Sequence, residues 1–99
     1  MVLYNVVIEA STDIETGFME WFKKKHIPLI ISTGYFVGFT LSKQIAPKFD
    51  RKFTAVCRFF CHNREDYDSY LNEFSNVMRG DFPTQFIDKC NIIRTVEEI

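Results

Sequence analysis

The sequence predicts a two-layer α+β domain in the order β-α-β-β-α-β, on three observations. Four segments alternate apolar and polar residues with period two. Two others repeat apolar residues at helical spacing, and a turn-rich stretch joins the middle pair of strands. The 99 residues read as one domain, 1–99, free of repeats, linkers and low-complexity tracts.

The first strand is Val2 to Ala10. Its even positions Val2, Tyr4, Val6 and Ile8 are apolar, whereas the odd ones mix Leu3 and Val7 with Asn5 and Glu9. One face therefore lies on a core and the other is half polar. Ser11-Thr12-Asp13 stops the strand, and Thr12 with Glu15 fits an S/T-x-x-E capping box. Ile14, Phe18, Trp21, Phe22 and Lys25 form the stripe of a first helix. Lys23 to Lys25 suit the negative end of its dipole. Pro28 predicts a break or kink near His26-Ile27, followed by a short turn to Ser32 and a stop at Gly34.

Tyr35 to Lys43 is the second strand, with Tyr35, Val37, Phe39 and Leu41 opposite Phe36, Gly38, Thr40 and Ser42. Gln44 to Lys52, containing Pro47 and Asp50, reads as a surface hairpin loop. Phe53 to His62 is the third strand. Phe53, Ala55, Cys57, Phe59 and Cys61 share one face; Thr54, Val56, Arg58, Phe60 and His62 share the other. Asn63 caps the second helix, Glu65 and Asp66 fill its first turn, and Tyr67, Tyr70, Leu71, Phe74, Val77 and Met78 line it as far as Gly80. Pro83 to Phe86 adds a turn, and Lys89 to Val96 closes as the fourth strand.

Right-handed crossovers put both helices on one face of a four-stranded antiparallel sheet, the ferredoxin-like arrangement. The fully apolar strand faces meet those helices. The opposite face keeps Leu3, Val7, Val56 and Phe60, together with Phe36 and Ile92. Burying each such side chain is worth about 1.5–3 kcal/mol, so the expectation is a homodimer paired through this open sheet face. Asn5 and Arg58 lie within it on neighbouring strands, joined by Arg94. These three either bond one another as a polar network of the dimer or, with Phe36 and Phe60, are the candidate ligand-binding residues, because a guanidinium can hold an anion bidentately.

The composition narrows the partners. Net charge is −1 with both signs interspersed, so the basic stripe of a nucleic-acid binder is missing. No apolar run approaches the roughly 20 residues of a membrane helix, and no signal peptide is evident. The three cysteines lack CxxC spacing and read as buried thiols in a reducing, cytoplasmic compartment. His26 and His62 lack the clustered spacing of a metal site, and neither metal nor cofactor is expected. His26, placed before a proline at a helix end, is the candidate catalytic residue.

Several short elements together resemble a bacterial family of uncharacterised proteins in the dimeric α+β barrel superfamily. They are Tyr4-Asn5-Val6, Trp21, His26-Ile27-Pro28, Thr33-Gly34-Tyr35-Phe36, Arg64-Glu65-Asp66-Tyr67 with Tyr70, and Arg94-Thr95. The resemblance spans essentially the whole chain, and implies the ferredoxin-like fold and dimeric barrel. The superfamily includes cofactor-free monooxygenases, isomerases, dehydratases and ethyl-tert-butyl-ether-degradation-type proteins, the last with a His-x-Pro element similar to His26-Ile27-Pro28. Arg58 departs from the Gln that the closer family tends to have there. Two functions follow as expectations: a homodimeric module that binds a small molecule or a partner without catalysis, or a cofactor-independent, monooxygenase- or isomerase-like enzyme using His26 with Arg58 or Asn5.

Overall fold

The structure is a computed structural model that describes residues 1–44 and 51–99. The expected hairpin loop falls largely on 45–50, outside the described residues. Four strands, β1 (Val2–Ser11), β2 (Gly38–Gln44), β3 (Lys52–Cys61) and β4 (Cys90–Glu98), form one antiparallel sheet in the order β2-β3-β1-β4. The helical layer comprises α1 (Glu15–Trp21), α2 (Ile27–Ser32), α3 (Arg64–Glu73), α4 (Ser75–Gly80) and α5 (Thr84–Ile87). This is the ferredoxin-like architecture the sequence predicts. No helix among the described residues is long and apolar enough to cross a membrane.

The core lies between sheet and helices, where the even residues of β1 and the odd residues of β3 are buried against Phe18, Phe22, Ile27, Ile30, Tyr70, Met78 and Phe86. Aromatic rings dominate it. Tyr4 packs on Phe36, Phe59, Tyr67 and Tyr70, and Phe18 packs on Trp21, Phe22, Phe53, Phe82 and Phe86. Such large rings let a small domain bury enough area to fold. Cys57 and Cys61 are part of this core, and burial pushes their thiols up to about 12 and about 11. They are packing residues with negligible thiolate character.

Local details depart from the sequence reading for identifiable reasons. The capping box at Thr12 is not formed; Thr12–Ile14 is a tight 3-10 turn, and the Glu15 carboxylate instead accepts from Lys43 Nζ at 2.6 Å. Of the break or kink expected at Pro28, the break does not occur. A π-helical turn over Phe22–His26 leads straight into α2, and His26 and Ile27 keep helical backbone angles. Proline lacks the N–H for the i→i−4 bond and its ring crowds that carbonyl; the wider turn accommodates both. Gly34, at φ 86°, then ends α2 in the left-handed region where a Cβ is costly.

The second helix starts as expected, with Asn63 Oδ1 accepting from the Asp66 N–H at 2.8 Å. It is interrupted at Phe74, whose φ of −127° separates α3 from α4. The Ser75 hydroxyl donates to the Leu71 carbonyl at 2.6 Å across that joint. The interruption turns Val77 out to solvent while Met78 stays buried.

Candidate functional site

Register decides which side chains share a face. On the open face β2, β3, β1 and β4 contribute successive rows: Gly38, Phe60, Leu3 and Glu97; then Thr40, Arg58, Asn5 and Thr95; then Ser42, Val56, Val7 and Ile93. A polar row thus lies between two rows rich in apolar side chains. Asn5 and Arg58 sit directly opposite each other, as the strand patterns implied. Asn5 is only 4% exposed; its Nδ2 donates to Glu97 Oε1 at 2.7 Å and to Thr95 Oγ1 at 3.3 Å. Its Oδ1 is buried without a hydrogen-bond partner. Arg58 is exposed and unpaired among the described residues. Phe60 is half-buried beside Leu3.

Three expected members of this face are not on it. Phe36 lies in the helix-side core, with its ring centroid 4.8 Å from Tyr70 and 5.4 Å from Phe59. The pleat of β2 begins only at Gly38, so period-two alternation does not reach back to Phe36. Arg94 and Ile92 pair with Val6 and Ile8, which places both on the helix side. The β4 pattern is apolar or basic at adjacent positions, so only pairing with β1 sets its faces.

That register carries Arg94 to a second region, a cleft between sheet and helices. Tyr4, Phe59, Ile92 and Arg94 form its floor; Phe22, His26 and Ile30 form one wall, and Tyr70, Met78, Arg79 and Phe82 the other. Its enclosed part measures about 20 Å³, room for a single water. His26 is brought here because the helix continues through Pro28. Its ring stacks 4.8 Å from Trp21, and Nδ1 lies 3.3 Å from Asp81 Oδ2. The side chain is 13% exposed. Burial lowers the imidazole pKa below 6.5; the Asp81 carboxylate opposes this and the Arg94 charge adds to it. Burial likewise raises the Tyr70 phenol, while Arg79 and Arg94 counteract it.

His26 and Arg58 therefore lie on opposite faces of the sheet and share no cavity, as do His26 and Asn5. The expected catalytic pairing of His26 with either residue is overturned. In its place the fold brings together His26, Asp81, Arg79 and Arg94. Arg79 and Asp81 escaped the sequence reading because they flank Gly80 at a helix end, where charged residues ordinarily meet solvent. Their one signal was two opposite charges closely spaced around a helix stop.

The fold recurs widely. An ethyl tert-butyl ether degradation (EthD) family protein from Bacillus halodurans superposes with a TM-score of 0.72 at 13% identity, covering all of both chains. A dimeric ferredoxin-like protein from an uncultured marine organism gives 0.69 at 12%, covering all of this chain and 94% of that one. The heme degrader MhuD of Mycobacterium tuberculosis, solved with two hemes in its active site, gives 0.68 at 13%, covering all of this chain and 95% of that one. At these identities the likeness establishes fold alone. No curated protein matches the chain. One family model does match, over residues 1–99, and by it the chain belongs to the family described as Domain of unknown function (DUF4286).

Proposed function

We propose that this chain works as a homodimer, paired through its open sheet face, in which each protomer binds a small organic molecule in the cleft between sheet and helices. The observation that carries the binding is the convergence of His26, Arg79 and Arg94 on one aromatic-walled cleft. Polar groups gathered at a concave, largely apolar site are what fixes a small ligand's orientation. The dimer is supported by the open face, where apolar rows flank Asn5 and Arg58, and by a structural neighbour described as dimeric. The free thiols Cys57, Cys61 and Cys90 support a reducing, cytoplasmic setting. Native mass spectrometry of gently purified protein tests the reading. Two chains carrying a small adduct are expected; a bare monomer at micromolar concentration argues against it.

A second reading is favoured by the His26–Asp81 contact. Burial keeps the imidazole neutral near pH 7, and the carboxylate orients it, so His26 is arranged as a general base toward a ligand in the cleft. On this reading the chain is a cofactor-independent enzyme of monooxygenase or isomerase type. Once a ligand is in hand, the enzyme reading expects turnover that His26→Ala abolishes while binding persists. Ligand recovered unchanged from the wild-type protein leaves the binding module.

A further inference from the structure

We propose that the ligand of this cleft is a small organic acid, held by its carboxylate between Arg79 and Arg94. The inference rests on the cleft reading above and names the class of molecule it takes. The two arginines come from opposite layers, Arg79 from α4 and Arg94 from β4, and both line the same cleft. Neither has a hydrogen bond or ion pair among the described residues. The carboxylate of Asp81 is turned to His26 instead, 3.3 Å from Nδ1. Two unpaired, exposed like charges at one concave site repel each other and favour an anion, and guanidiniums match a carboxylate's planar pair of oxygens. Tyr4 and Tyr70 also line the cleft, and neither phenol has a hydrogen-bond partner among the described residues. The enclosed space of about 20 Å³ admits little more than one water. The acid therefore lies largely in the open part of the cleft, with its apolar body on Phe82 and Met78, and Met78 is adaptable enough to reshape around it.

The test uses benzoate and its uncharged analogue benzamide as probes of the full chain, by calorimetry and by amide shifts in NMR. Benzoate is expected to bind about tenfold or more tightly than benzamide, the scale of one charge-assisted contact. Its shifts should map to α4, β4 and Phe82. In the Arg79→Gln/Arg94→Gln double variant, the preference should vanish with the melting temperature within a few degrees of wild type, because both side chains are exposed. Equal affinity for the two probes in the cleft, or a preference that survives in the double variant, overturns the acid while leaving the cleft as a binding site. Failure of both probes to shift any cleft amide at millimolar concentration overturns the site as well.

Discussion

Phe59 and Phe60 are neighbours in β3, yet they report on two different surfaces. Phe59 is completely buried, packed on Tyr4 and Phe36 beneath the helices. Phe60 points the other way, half-buried in an apolar row with Leu3. The helix side is apolar along both central strands, and its polar groups gather at one cleft. The open side interleaves polar and apolar rows. One face has been finished by the chain's own helices; the other has the composition of a surface awaiting a partner. The contrast teaches that the same pleat can hold core and open surface one residue apart.

Substitutions on the two faces should sharpen that contrast. Phe59→Ala is expected to cost about 3–5 kcal/mol in urea unfolding, the range for a large ring removed from a packed core. Phe60→Ala should cost the folded protomer about 1–2 kcal/mol, since less area is lost. Equal costs would break the comparison. Ile93→Asp puts a charge into an open-face row where the native side chain is already 43% exposed. The fold should survive, while sedimentation shifts from dimer to monomer. A variant that still sediments as a dimer sinks this interface.

Asn5→Asp probes the polar row. A carboxylate there faces Glu97 in a site that is nearly closed to water, so a loss of about 1–3 kcal/mol at neutral pH is expected. Acidification should relieve part of it as the new group protonates. The smallest effect belongs to the cleft. Because burial lowers the His26 pKa below 6.5, the unfolded chain binds this proton more readily than the folded one. Stability is therefore expected to fall as pH drops from about 6.5 toward the folded value, and the loss should be absent in His26→Gln. NMR titration should place the His26 ring below 6.5, and lower still in Asp81→Asn, which removes the group that opposes burial.

Much of this was legible in the chain. Strict alternation in β1 and β3 named the core face and fixed Asn5 and Arg58 on the other, because side-chain direction along a strand follows from backbone geometry alone. Asn63, with carboxylates behind it, announced its helix for the same local reason. Alternation fails where the backbone is not yet a strand, and so it does not reach Phe36 just after the Gly34 turn. It is also silent where adjacent positions have no clear polarity contrast. Arg94 and Ile93 in β4 could each face either way until pairing with β1 chose. Pro28 carried a local rule, but whether it breaks the helix or is absorbed by a π turn depends on what holds Phe22 and Ile27 in the core. The sequence by itself determined the order of elements, the core strands and the half-polar open face. The tertiary structure alone decided that His26 meets Arg79, Asp81 and Arg94, since register and helix path join residues whose local patterns carry no information about one another.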